Sequence, residues 1–200
     1  MKVKIKKGKK SKEFNLIKSW NDVTLESWLK LMTFDTDINS EDAAKTIQEL
    51  SDIPKKLIKE LSLSDVAIIM SWIAELQAKQ DTNLKRLIKI NEVEYGFHPD
   101  LDSISLGEYA DIETYIKIGI EKKLPELMAV LYRPVKKKHK NGVYVIEAYD
   151  GDIRMRAEEM KKMSAEQVQG AMVFFYHFAK VLFETLQLYS IQKQKEMMKQ

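Results

Sequence analysis

The chain has 200 residues, 44% hydrophobic and 32% charged, with a formal net charge of +3. That balance excludes a disordered polymer and provides a core for one compact domain or two small ones. There is no cysteine, which excludes disulfides and thiolate metal sites and fits folding in a reducing compartment.

"MKVKI" and "EFNLI" alternate polar and apolar residues on either side of a lysine-rich stretch with Gly8, the pattern of a β-hairpin. The first twelve residues hold Lys2, Lys4, Lys6, Lys7, Lys9, Lys10 and Lys12. Lys4, Lys6, Lys7, Lys9 and Lys10 are candidate contacts for phosphate or an acidic surface. Their repulsion predicts a loose arm unless strand pairing or an acidic partner holds it. The apolar run that follows the basic start of a secretory leader is missing.

In "SWNDVTLESWLKLM", Thr24 is placed to cap a helix carrying Leu25, Trp28, Leu29 and Met32 at helical spacing. "NSEDAAKTIQELSDI" reads as a second helix capped by Ser40, and Pro54 suits the first turn of a short helix, "PKKLIKEL". "SLSDVAIIMSWIAELQAK" starts with Ser62 and Asp65 at capping distance. Its predicted buried stripe is Val66, Ile69, Met70, Ile73 and Leu76.

"QDTN" at residues 80–83 marks a boundary, giving units 1–82 and 83–200 or one compact body. "LIKINEVEYGF" then reads as strand, tight turn at Asn91-Glu92, strand, and Ser105 with Glu108 forms a capping box. This second stretch repeats the first at an offset of 81: Leu101 matches Trp20, Ser105 matches Thr24, Leu106 matches Leu25 and Tyr109 matches Trp28. Two related halves, each of hairpin plus helices, would explain it, as would chance.

"LPELMAVLYRPV" predicts a helix ending near Arg133, because Pro134 disfavours helix in the preceding residue. Asn141-Gly142 marks a hairpin turn before "VYVIEAY", which puts Lys136–Lys140 at a solvated tip. "DIRMRAEEMKKM" reads as a charged helix, and Ser164 with Gln167 caps a long helix running to about residue 195. Glu166, Gly170, His177, Lys180, Glu184 and Gln187 fall on one narrow stripe of that helix, and nearly all else on it is apolar. The charged members of that stripe oppose a membrane span. An apolar face this wide exceeds what one side of a surface helix buries. Positions 171, 174, 175, 178 and 182 are therefore expected to face the protein's own core. Met172, Tyr176, Phe183 and Leu186 are expected to face a partner.

Catalytic signals are missing. His98, His139 and His177 share no ligand spacing, and the carboxylates of "HPDLD" are better read as a turn before a helix. The glycines are scattered singly, so no phosphate-cradling loop forms, and no serine sits in a nucleophile elbow. The expectation is a mainly α chain with small β-hairpins, an α+β fold, that is not an enzyme and has no catalytic residue, cofactor or metal. Nucleic acid is a secondary expectation, since arginine is scarce and no aromatics interleave the lysines.

"SWNDVTLESWLKLM", "LDSISLGEYADIETYI", "LPELMAVLYRPV" and "GAMVFFYHFAKVLF" together resemble small structural or assembly proteins of tailed bacteriophages. In particular they resemble tail assembly chaperones or tail-associated virion proteins, especially of phages of Bacteroidota. The resemblance runs over most of the chain and rests on packing motifs. It implies a helix-rich, non-enzymatic protein that binds other phage structural proteins or itself. It also implies residence in the host cytoplasm during assembly or in the virion, and it carries over no functional residue set.

Overall fold

The computed structural model describes residues 2–7, 10–32, 40–79 and 81–176. Within them the chain is α+β, mainly helical with two small antiparallel sheets. Gly8, Lys9, His177, Phe178, Leu182, Phe183 and Leu186 lie outside the described residues.

Strands β1 (Lys2–Lys7) and β2 (Lys10–Asn15) form the first hairpin, with Val3 opposite Phe14. The lysine-rich start is thus a paired strand rather than a loose arm. The two-residue alternation of a strand explains this, because it sends Val3, Ile5 and Phe14 toward the core and leaves Lys2 and Lys4 on the other face. There both ammonium groups reach Glu13, at 3.4 and 3.1 Å.

Helices α1 (Leu25–Met32), α2 (Ser40–Glu49), α3 (Lys55–Ile58) and α4 (Leu63–Ala78) follow. Leu16, Trp20, Ile47, Leu50, Ile69 and Ile73 form the centre of a first apolar cluster among them. The Ser62 hydroxyl accepts from the Asp65 amide at 3.1 Å, closing the start of α4. Pro54 stands one residue before α3, at its cap, and not inside its first turn.

The second sheet has strand order β3 (Leu87–Ile90), β4 (Val93–Phe97), β5 (Tyr132–Lys138) and β6 (Tyr144–Ile146). Asn91 and Glu92 both have positive φ, 44° and 71°, as a two-residue hairpin turn between right-twisted strands requires. Helices α5 (Leu106–Ile118), α6 (Leu124–Leu131), α7 (Arg154–Met160) and α8, described over 165–176, pack on this sheet. The Ser164 hydroxyl accepts from the Gln167 amide at 3.2 Å while the Gln167 side chain accepts from the Ser164 amide, a reciprocal cap on α8.

The sequence places the end of α6 near Arg133, and the structure ends it at Leu131, with a strand beginning at the next residue. Pro134 sits inside that strand. It has no amide to donate, and it is the last residue of β5 paired to β4, opposite Tyr95. Its carbonyl still accepts from the Glu147 amide at 2.9 Å. Around Phe97, Tyr132 packs edge-on at 5.1 Å and Phe174 at 5.5 Å between ring centroids. These rings lie within a second apolar cluster built mainly from residues beyond 83.

A short antiparallel crossing stitches the two clusters together. The Leu25 amide donates to the Met163 carbonyl and the Ala165 amide to the Val23 carbonyl, both at 2.7 Å. Each strand of this stitch runs directly into a helix, α1 or α8. Leu25 enters the second cluster and Ala165 the first, so each half completes the other's core.

Element by element, the internal repeat recurs in the fold. A hairpin leads to a short 3-10 turn, Trp20–Asp22 or Leu101–Ser103, and then to a helix beginning at Leu25 or Leu106. Thr24 and Ser105 each accept an amide three residues on. Trp28 and Tyr109 are both half-buried. The halves differ after that point, and only the second continues its sheet through β5 and β6.

Candidate functional site

Helix α8 turns Ala171, Phe174 and Phe175 to the core as its sequence suggests, but the buried face is wider and takes in Met172. Met172 is only 9% exposed and packs in the second cluster, whereas Tyr176 is 54% exposed. Val168, Ala171, Met172 and Phe175 are buried together because spacings of three and four put them on one side of a helix. Met172 therefore belongs to the core and not to a partner face. The exposed apolar positions are Val173 and Tyr176.

The described members of the polar stripe of α8, Glu166 and Gly170, meet the segment that joins the two halves. Glu166 reaches Lys85 at 3.7 Å, and Gly170 lies against the backbone of Asn83. A Cβ at position 170 would stand 2.5 Å from the Asn83 carbonyl oxygen. Gly170→Ala is expected to destabilise the protein by about 1–3 kcal/mol in chemical denaturation, since the clash with fixed backbone outweighs the helix-propensity gain of about 1 kcal/mol. Unchanged or raised stability would show that the joining segment yields freely.

The lysines proposed as phosphate contacts are partly committed elsewhere. Lys4 is held by Glu13, and Lys6, Lys7 and Lys10 lie in paired strands without described side chains. At the other basic block, Lys136 meets Glu147 at 2.6 Å and Lys138 meets Glu94 at 2.9 Å.

The structure also assembles a buried polar cluster with no counterpart in the sequence reading. Glu108, the third residue of α5, is 3% exposed, and Arg133 of β5 is 4% exposed. The guanidinium Nη2 lies 2.6 Å from Glu108 Oε1, and His98 Nε2 approaches the same oxygen at 3.5 Å. Glu108 Oε2 accepts from the Ser105 amide at 2.8 Å and from its hydroxyl at 2.5 Å. Tyr149 lies 5.7 Å from the Arg133 guanidinium, ring face toward it, and its hydroxyl donates to Asp111. The capping carboxylate of α5 is thereby also the counter-ion of the sheet. The arrangement locks helix to strand.

Burial pushes the His98 imidazole below its usual 6.5; the Glu108 charge opposes that shift and the Arg133 charge adds to it. Burial also pushes the Glu108 carboxyl up, but the Ser105 hydrogen bonds and the Arg133 charge win, leaving it below 4.5. Both folded groups bind protons more weakly than their unfolded counterparts. Acidification therefore favours unfolding, from near pH 6.5 through His98 and from near 4.5 through Glu108. The melting temperature is expected to fall steadily from pH 7 to 4, and His98→Gln should flatten the upper part of that fall. A melting temperature constant across the range would contradict a protonation-sensitive core.

A groove of about 640 Å³ runs between α2, α3 and α4. Ala44, Ile47, Ile58, Leu61, Leu63 and Val66 line its apolar part. Beside it, the outer face of α4 presents Ser64, Ala67, Ile68, Ser71 and Ala74, all exposed, with the exposed Glu75 on the same face. Leu63 and Ile68 are 88% and 60% exposed.

No family model, curated protein or solved structure matches the chain. Among the described residues no helix is long and apolar enough to cross a membrane, and no three ligating side chains gather to hold a metal ion.

Proposed function

We propose that this chain is a non-enzymatic assembly factor or minor structural protein of a tailed bacteriophage, tail-associated and acting through protein–protein contacts. The observation that carries the contact role is the exposure of Leu63 and Ile68 on α4 beside an apolar groove. Exposed apolar surface of this kind is unfavourable in water unless a partner covers it. The phage assignment rests on the resemblance of the sequence's packing motifs to those of tail assembly chaperones and tail-associated virion proteins. The partners are other phage structural proteins or a second copy. The place of action is the host cytoplasm during assembly, with incorporation into the virion as the final state for a structural role.

The ion pairs of Lys2, Lys4, Lys136 and Lys138 favour this reading over a phosphate-binding one, because their ammonium groups already face carboxylates. Mass spectrometry of purified particles and of assembly intermediates tests the proposal. Presence in particles supports a structural role, and presence in intermediates alone supports a chaperone. Absence from both overturns it.

A further inference from the structure

We infer that the groove between α2, α3 and α4 receives an amphipathic α-helix of another protein, apolar on one face and acidic along one flank. The inference rests on the protein-contact reading above and gives that contact a place and a chemistry.

The shape comes from three helices of unequal length. Helix α3 is a single turn, so α2 and α4 are left uncovered beyond its ends. Ile47 and Ile58 form the bottom of the groove and are buried, while Leu63 stands at its lip almost fully exposed. A partner helix offering apolar side chains at spacings of three, four and seven could cover that lip.

Charge selects the flank. Lys55 and Lys59 line the α3 rim, four residues apart and on the same side of the turn. Neither has a carboxylate within ion-pair distance among the described residues, and the neighbouring Lys56 is exposed as well. On the α2 rim, Lys45 is neutralised by Glu41 at 3.1 Å. Among the described residues lining the groove, the cations without a carboxylate at ion-pair distance are Lys55 and Lys59, both on the α3 side. Such one-sided charge fixes the orientation and sign of a partner more than it adds affinity.

Two synthetic helical peptides test this by fluorescence anisotropy with the full chain. Both carry leucines at helical spacing; one has glutamates along a flank and the other has lysines in their place. The glutamate peptide is expected to bind about tenfold tighter, with a preference that shrinks as salt rises. Reversing the rim with Lys55→Glu and Lys59→Glu should invert the preference. Leu63→Asp should weaken both peptides, and since Leu63 is exposed the variant keeps its fold, as circular dichroism would check. Equal binding, or no binding, overturns the inference. So does concentration-dependent self-association that Leu63→Asp abolishes, which would assign the groove to a second copy. The peptide result is independent of whether the chain occurs in phage particles, so the two readings fail separately.

Discussion

Replacing Arg133 by Met is expected to cost about 3–5 kcal/mol in urea denaturation. Arg133 and Glu108 are both almost fully buried, and their charged atoms meet at 2.6 Å. Removing the guanidinium leaves a carboxylate in the interior with only Ser105 and a weakly protonating His98 beside it. Desolvation of that lone charge, rather than loss of a favourable contact, dominates the cost. Glu108→Gln should behave similarly, since it strands the guanidinium and weakens the α5 cap at once. Replacing both partners by Met should recover much of the loss, because an apolar pair of similar volume incurs no charge burial. Single variants costing under about 1 kcal/mol would show that water reaches the pair and that it acts as a surface ion pair.

This cluster illustrates what can be read from the sequence and what cannot. Local devices were legible. The caps at Ser62, Ser105 and Ser164, the Asn91-Glu92 turn and the α4 stripe around Ile69 and Ile73 each depend on residues within a turn or two of one another. The Arg133–Glu108 pair joins positions that no periodicity connects. A faint signal did exist. Only Arg86, Arg133, Arg154 and Arg156 are arginines in a chain that otherwise uses lysine, and the side chains of Arg133 and Arg156 are buried. Arginine chosen over lysine marks places where a fixed, planar donor set is needed inside.

Strand β5 was hidden for a different reason. Its start abuts α6 without a linker, and Pro134 reads as a helix stop rather than as a strand residue. On α8, periodicity identifies a wide apolar surface but not which edge of it is covered. That choice is made by residues 81–85 lying across Glu166 and Gly170, which turns Met172 inward and leaves Val173 and Tyr176 outside. The groove was not anticipated either. Its lysines read only as part of the short helix "PKKLIKEL" until α2 and α4 place apolar side chains beside them.

Leu25→Ala is expected to cost about 2–5 kcal/mol, while Leu106→Ala, the same substitution 81 positions later, should stay within about 0.5 kcal/mol. The two leucines have the same local setting. Each is the first residue of a helix, follows a hydroxyl cap, and comes after a hairpin and a 3-10 turn. Yet Leu25 is 0% exposed and Leu106 is 83% exposed. The cause lies outside the repeat. Residues 163–165 cross the start of α1, bind the Leu25 amide, and carry the side chain into the second apolar cluster. Nothing crosses the start of α5 in the same way among the described residues. Truncating Leu25 therefore opens a cavity where the two halves meet, whereas truncating Leu106 removes surface already in water. Parallel denaturation curves decide the matter. Equal costs would mean that the duplicated local structure, and not the stitch at 163–165, sets where these side chains go.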